Sequence, residues 1–139
     1  MTASPTSDVS SPPRLLLVED DAAVRRALQL LLRARGYDVR AYAAGSALLA
    51  DLDAQRQAVV LIADLKMPEV DGVTLLRTLR AGGWQGPALL ITGFPTAEVR
   101  AEAMAAGYAR VLEKPLIEHA LADAVDRLVA AGGDGATTY

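Results

Sequence analysis

Strand-like and helix-like stretches alternate five times between residues 14 and 130, and this alternation constrains the fold more than any other feature. The strand-like runs lie at 14–18, 38–42, 59–63, 88–91 and 110–113. Consecutive β-α units connect through right-handed crossovers, which produces a parallel sheet covered by helices on both faces. The run at 59–63 is apolar throughout, as expected for a strand buried on both sides. The sequence therefore predicts a doubly wound α/β domain, (βα)5, with a five-stranded parallel sheet.

Apolar periodicity and capping residues place the helices between these strands. The predicted helices span 21–35, 46–52, 73–80, 96–106 and 117–130. Ser46, Asp71 and Thr96 are predicted N-caps, because their side-chain oxygens can accept from the free amides of a first turn. Gly36 and Gly107 are predicted helix stops, because glycine readily adopts the left-handed conformation found after many helices.

Length and composition exclude several classes of protein. The 139 residues suffice for a single hydrophobic core. A net charge of −3 argues against a nucleic-acid-binding surface driven by bulk charge. The absence of cysteine excludes disulfides, thiol catalysis and zinc-thiolate sites. Without a secretory signal or an apolar run of membrane-spanning length, the expected location is cytoplasmic, with no membrane partner.

The ends of the chain differ in composition from its middle. Residues 1–13 are rich in Ser, Thr and Pro and are predicted to form a flexible N-terminal leader. Residues 131–139 are predicted to form a flexible C-terminal tail. The domain itself is assigned to residues 14–130, and since no second domain follows residue 130, a stand-alone protein is expected.

Polar side chains cluster where the predicted strands end. Glu19 and Asp20 follow the first strand, Asp64 ends the apolar run of the third, Thr92 follows the fourth, and Lys114 follows the fifth. The carboxyl ends of parallel strands share one edge of the sheet, where open α/β folds bind ligands. Two carboxylates 4 Å apart repel by about 4 kcal/mol at an effective dielectric near 20, and Mg²⁺ would relieve this. With an added positive charge and a hydroxyl, the set could hold a phosphoryl group on the aspartate after strand three.

Five short motifs occur in order, each at a strand end or just after it. They are Leu-Val-Glu-Asp-Asp at 17–21, Asp-Leu-Lys-Met-Pro at 64–68, Asp-Gly at 71–72, Ile-Thr-Gly at 91–93 and Glu-Lys-Pro at 113–115. Through these motifs the chain resembles the response-regulator receiver domains of two-component signalling, over about residues 14 to 130. The resemblance implies the flavodoxin-like strand order 2-1-3-4-5 and a regulatory phosphoacceptor rather than an enzyme. Such a domain catalyses only its own phosphoryl transfer and dephosphorylation.

The resemblance also implies a role for each matching position. Asp64 would be the phosphoacceptor and a metal ligand. Mg²⁺ would be bound by Asp20 directly, by Glu19 through water and by the backbone carbonyl of Lys66. Residues that would contact the phosphoryl group or leave it accessible are Thr92, Gly93 and Lys114. Residues that would support the site structurally are Met67, Pro68, Asp71, Gly72 and Pro115, the last after a cis peptide bond.

One position departs from the family pattern. Many receivers carry Tyr or Phe three residues before the lysine after strand five, and here that position is Val111. Activation would then propagate through backbone shifts around Thr92 and Phe94. The expected output surface is formed by the fourth predicted helix, strand five and the last helix. The expected partners are a histidine kinase or histidine phosphotransfer protein, an unknown downstream protein, and a second copy of the chain at that surface.

Other interpretations compete with a phosphorylatable switch. Val111 also suits a receiver-like scaffold that binds partners without phosphorylation. A phosphatase with an aspartate nucleophile would need a second Asp two residues after Asp64, where this chain has Lys66. The acidic run at 19–21 could serve only as a helix start favoured by the helix dipole. Dinucleotide binding has little support, since no Gly-x-Gly-x-x-Gly follows the first strand.

Overall fold

The computed structural model describes residues 11–117 and 119–137 and contains one five-stranded parallel sheet. The strands are β1 (Arg14–Val18), β2 (Asp38–Tyr42), β3 (Ala58–Asp64), β4 (Ala88–Thr92) and β5 (Arg110–Glu113). Their order in the sheet is β2-β1-β3-β4-β5, and every neighbouring pair is parallel. The predicted fold class and strand order are confirmed.

Six helices cover the two faces of this sheet within the described ranges. They are α1 (Ala22–Ala34), α2 (Gly45–Leu49), α3 (Leu52–Gln57), α4 (Gly72–Ala81), α5 (Ala97–Ala106) and α6 (Ala120–Thr137). Successive strand side chains point to opposite faces, so the core divides into two layers. One layer joins Leu16, Leu61 and Leu90 to α2–α5, and the other joins Leu17 and Ile62 to α1 and α6. In the described residues no helix is both long enough and apolar enough to cross a membrane.

Three acidic or hydroxyl side chains begin the helices that follow the site loops. Asp21 accepts from the backbone N–H of Ala23 and Val24 and caps α1. Asp71 accepts from Thr74 N at 2.8 Å and caps α4, and Thr96 caps α5, so both predicted caps are confirmed. These caps satisfy amide groups that would otherwise lack partners in the first helical turn.

The segment between β2 and β3 differs from the predicted single helix. Ser46 lies inside α2 rather than at its N-cap, which is Ala44, so the predicted cap is wrong. Asp51 interrupts the helix, because its Oδ1 accepts from Ala54 N and starts α3. Its Oδ2 accepts from the Tyr42 hydroxyl at 2.9 Å, and this contact fixes the break against the edge strand β2. The predicted helix 46–52 therefore ends early, at Leu49, and a second short helix that was not predicted, α3, follows it.

The last helix begins later and ends later than the pattern predicts. His119 has φ 73°, which no α-helix contains, so α6 begins at Ala120 rather than at Ile117. The helix continues to Thr137, beyond the predicted end at residue 130. Residues 1–10 and 138–139 lie outside the described residues, and the flexibility of leader and tail stays a prediction.

Trp84 packs at the edge of the sheet opposite the carboxyl ends of the strands. It is buried in the same core layer as Leu79 and Ala88, as expected for a packing residue. Arg80 donates to the Trp84 carbonyl at 3.0 Å and lies 5.3 Å from the indole ring. A Cβ on Gly86 would approach the indole to 2.3 Å, so a side chain there would displace the ring.

Gly72→Ala is expected to lower the free energy of unfolding by about 1–3 kcal/mol, because the added methyl overpacks a rigid contact. A Cβ at this position would lie 2.5 Å from the backbone oxygen of Asp64 and 2.7 Å from Leu90 Cδ1. Urea unfolding would measure the loss. Gly82→Ala is the matched control, since its Cβ would meet nothing closer than 3.6 Å and its φ of −83° suits alanine. Equal losses in both variants would contradict the steric argument.

Candidate functional site

Three carboxylates meet at the carboxyl edge of the two central strands. Glu19 and Asp20 follow β1, and Asp64 ends the neighbouring strand β3. One oxygen from each lies within 4.8 Å of the others. Glu19 and Asp64 are buried whereas Asp20 is exposed, so the cluster opens to solvent on one side. The parallel register, which pairs Val18 with Ala63, produces the juxtaposition predicted from the strand ends.

Lys114 neutralises part of this negative charge. Its Nζ lies 2.9 Å from Glu19 Oε1 and 2.9 Å from Asp64 Oδ2, so one ammonium donates to both buried carboxylates. Its backbone N–H donates to the Thr92 carbonyl at 2.8 Å, which fixes the start of the loop after β5. The carboxylate repulsion expected from the sequence is therefore relieved partly by a side chain of the protein itself.

Burial and hydrogen bonding have opposite effects on these two groups. Burial raises the pKa of Glu19 above its ordinary value, and this outweighs the hydrogen bonds from Lys114 and from the Asp21 amide. Burial lowers the pKa of Lys114, but its hydrogen bonds to Glu19 and Asp64 outweigh that effect and leave the pKa raised. Lys114 thus remains an ammonium at neutral pH. The raised pKa of Glu19 means that its carboxyl group ionises less readily than that of a free glutamate.

Glu19→Gln is expected to gain stability relative to wild type as pH rises from 4.5 towards neutrality in metal-free buffer. A raised carboxyl pKa means that the folded wild type binds more protons than the unfolded chain, so its stability falls as pH rises through that range. The neutral amide removes this penalty. Thermal melts of both proteins at several pH values would measure the difference, and a difference independent of pH would contradict the shift. Added Mg²⁺ should reverse the trend, because it favours the ionised carboxylate.

The last residue of β4 supplies a hydroxyl at the carboxyl edge of the sheet, and the loop after it leaves open space there. Thr92 is buried, and its Oγ1 accepts from the backbone N–H of Phe94 at 3.2 Å, which leaves the hydroxyl proton available to another acceptor. A Cβ on Gly93 would meet nothing within 4 Å, so access at this position is not sterically blocked. The Lys66 ammonium lies 5.4 Å from the centroid of the largely exposed Phe94 ring. The side chains of Lys66 and Phe94, two residues after Asp64 and Thr92, therefore lie close to each other.

The loop from Leu65 to Asp71 connects β3 to α4 and packs against both. Met67 packs on the core layer of α2–α5, and the Pro68 carbonyl accepts from Val70 N at 2.7 Å. Asp71 caps α4, and Gly72 donates its amide to the Leu65 carbonyl at 2.9 Å. That Met67, Pro68, Asp71 and Gly72 support the site structurally stays a prediction. The Lys114–Pro115 bond is cis, as predicted.

Two residues near the site were not found from the sequence. Arg25 of α1 donates from Nη1 to the Glu19 carbonyl at 2.9 Å. Tyr108 is buried, and its hydroxyl donates to the Gly72 carbonyl at 2.6 Å. Burial raises the pKa of Tyr108, so this hydroxyl stays protonated. The available signal was the aromatic residue directly after the helix stop Gly107, where a polar loop residue is usual. Val111 is half-buried and packs on the same core layer as Tyr108.

The donor set fits a hard divalent cation. Three carboxylate oxygens from Glu19, Asp20 and Asp64 can converge, and oxygen ligands of this kind suit Mg²⁺. The partial exposure of Asp20 leaves room for water or phosphate oxygens in the remaining coordination positions. The same cluster, with an adjacent ammonium and hydroxyl, can bind and stabilise a phosphoryl group on Asp64.

Comparison with known proteins identifies the same family that the sequence motifs indicate. A family model described as the response regulator receiver domain matches residues 15–126. The transcriptional regulatory protein FixJ of Rhizobium meliloti (strain 1021) is 35% identical over 122 residues, which are 85% of this chain and 59% of FixJ. The crystal structure of FixJ-N has a TM-score of 0.76 and 32% identity over 85% of this chain and 94% of that one. The chemotaxis protein CheY4 of Vibrio cholerae has a TM-score of 0.78 and 27% identity over 85% and 99%.

Proposed function

The chain belongs to the response regulator receiver domain family, and from this we propose that it is a signalling switch phosphorylated on Asp64. The donor would be the phosphohistidine of a histidine kinase or histidine phosphotransfer protein. The observation that supports this most directly is the convergence at one sheet edge of the Asp64 carboxylate with Glu19, Asp20 and the Lys114 ammonium. The family itself is regulatory rather than enzymatic.

Asp64 would attack the phosphorus of the phosphohistidine. A phosphorus–oxygen bond to the carboxylate forms as the phosphorus–nitrogen bond to the imidazole breaks, and the imidazole leaves with that electron pair. An ionised carboxylate needs no general base, so the protein contributes mainly position and charge stabilisation. Lys114, now 2.9 Å from Asp64 Oδ2, would pair with a phosphoryl oxygen, and the Thr92 hydroxyl would donate to another. Gly93 leaves the approach open.

Mg²⁺ is the proposed cofactor. Asp20 and Asp64 would bind it directly, Glu19 through water, and Lys66 through its backbone carbonyl. When bound, the ion would neutralise negative charge on the phosphoryl oxygens and on the carboxylates. The protein's own part is to hold three carboxylates close together, with Lys114 donating to the two buried ones.

Phosphorylation is proposed to change binding at the surface formed by α5, β5 and α6. Three alanines of α5, Ala97, Ala101 and Ala105, are exposed there beside Met104 and allow close approach of another protein. Ala103 and Ala106 of the same helix are buried and face the core. The ligand of this surface would be a downstream protein or a second copy of the chain. Nucleic acid is not a proposed ligand, and the proposed location is cytoplasmic.

Intact mass after incubation with acetyl phosphate and Mg²⁺ tests the proposal. The wild-type chain is expected to gain the mass of one phosphoryl group, and a chelator should abolish the gain. The chain spans 59% of FixJ, so this test addresses phosphorylation and not the output of longer relatives. No gain, together with no binding of beryllofluoride as a phosphoryl mimic, would contradict the proposal. The favoured function would then be a scaffold that acts without phosphorylation, for which Val111 is the supporting observation.

A further inference from the structure

The buried hydroxyl of Tyr108 links two parts of the molecule that are far apart in sequence. Its ring lies in the core layer between the sheet and helices α4 and α5, with Leu76 and Ala103 in the same cluster. Its hydroxyl donates to the Gly72 carbonyl at 2.6 Å across 36 positions of sequence. Phenylalanine would fill the same apolar space, so the hydroxyl adds a specific contact rather than volume.

At one end of this contact, Gly72 is held directly against the phosphoacceptor. Its amide donates to the Leu65 carbonyl at 2.9 Å, and the Leu65 amide donates to the Ile91 carbonyl at 3.0 Å. Its Cα packs so closely that an added Cβ would lie 2.5 Å from the Asp64 carbonyl oxygen. A displacement of the Asp64 backbone towards Gly72 must therefore move Gly72 as well, because packed contacts of this kind resist compression.

At the other end, Tyr108 lies at the junction of α5 and β5. Its amide donates to the Ala103 carbonyl at 3.0 Å, in the last turns of α5. The next residue, Ala109, donates to the Ala88 carbonyl at 2.8 Å and leads into β5. Gly107, with φ 114°, makes the turn between them. The ring thus connects the Asp64–Gly72 loop to the two elements that form the proposed output surface.

We propose that Tyr108 is a positioning residue whose hydroxyl couples the phosphoacceptor loop to α5 and β5. The contact between Tyr108 and Gly72 would transmit movement of the loop, produced when Asp64 is loaded, to the junction of those elements. The side chain of Val111 has no polar atom with which to make such a link, although it packs on the same core layer. This inference rests on the proposed phosphorylation of Asp64 and names one route by which it reaches the surface.

The test compares wild type, Tyr108→Phe and Tyr42→Phe by amide NMR, with and without Mg²⁺ and beryllofluoride. Tyr42→Phe is the matched control, since it also removes one tyrosine hydroxyl bond, to Asp51, away from the loop. The mimic changes the amide chemical shifts, and the readout is the mean change at residues 103–112 divided by the mean change at residues 64–72. Tyr108→Phe should keep the local shifts and reduce this ratio by about twofold or more, as loss of one hydrogen bond would. Tyr42→Phe should leave the ratio unchanged.

The possible results distinguish failure of the Tyr108 inference from failure of the proposed phosphorylation of Asp64. A purely structural role for Tyr108 would lower stability in urea without moving the ratio, and an unchanged ratio in Tyr108→Phe would overturn the inference alone. An equal reduction in Tyr42→Phe would also overturn it, because the effect would not be specific to the Gly72 contact. If the wild type shows no mimic-induced shift at residues 64–72, the proposed phosphorylation itself fails, and the inference with it.

Discussion

Replacing Asp64 by asparagine is expected to abolish the gain of one phosphoryl mass that the wild-type chain shows with acetyl phosphate and Mg²⁺. The amide has nearly the shape of the carboxylate but is not a nucleophile towards phosphorus, so the loss should be complete rather than partial. The fold should persist, because the introduced amide oxygen can still accept from Lys114, whose Nζ lies 2.9 Å from Oδ2 of Asp64. Intact mass spectrometry measures the modification, and circular dichroism checks the fold.

Asp71→Asn provides the control for Asp64→Asn. Asp71 ends the loop that follows Asp64, but it is exposed and its side chain caps α4 through Thr74 N. Asparagine is an equally good cap, so this variant should fold and be phosphorylated like the wild type. If Asp64→Asn gained the phosphoryl mass as well, the modified residue would be elsewhere and the site assignment would be wrong.

Lys114→Met is expected to lower the free energy of unfolding by about 2 kcal/mol in metal-free buffer near neutral pH, since it leaves two buried carboxylates without their cation. For a domain of this size the melting temperature would fall by roughly 5–10 °C. Glu19 and Asp64 have side-chain exposures of only 2% and 11%, so water screens their repulsion poorly. Added Mg²⁺, or acid that protonates the carboxylates, should reduce the difference in melting temperature between Lys114→Met and the wild type.

Arg56→Met is the matched control for Lys114→Met. Arg56 also forms an ion pair, with Asp53 at 2.7 Å, but the two side chains are 70% and 87% exposed. Exposed pairs of this kind contribute little, so the melting temperature should change by no more than a degree or two, which corresponds to less than about 0.5 kcal/mol. Similar losses in both variants, or a Lys114→Met loss unaffected by Mg²⁺, would contradict the view that Lys114 offsets the carboxylate cluster.

The meeting of Glu19, Asp20, Asp64 and Lys114 was predictable because parallel strands place all their carboxyl ends at one edge. A residue directly after a strand has little freedom to lie anywhere else, so its position in sequence nearly determines its position in space. The same reasoning located Asp71 and Thr96, whose capping depends on amides only three residues away. Local geometry of this kind can be read from the order of residues alone.

The residues that were missed act through contacts that no local pattern encodes. Arg25 reaches back from α1 to a backbone carbonyl, and Tyr108 reaches a carbonyl 36 positions away. Ser46 failed as a cap because α2 already begins at Gly45, so Ser46 lies within the first helical turn instead of before it. The contacts of Arg25 and Tyr108 depend on which elements lie alongside, which is known only once the sheet has formed.

Trp84, the single tryptophan, is buried at the edge of the sheet far from Asp64, and its indole occupies the space left by the missing side chain of Gly86. Its fluorescence should therefore change when the whole domain unfolds and remain nearly constant when ions or phosphoryl mimics bind. An emission-based denaturation curve can then be recorded at every ligand concentration without correction for a direct optical effect of the ligand. The chain thus has an intrinsic probe that reports the free energy of unfolding separately from ligand binding at the carboxyl edge of the sheet.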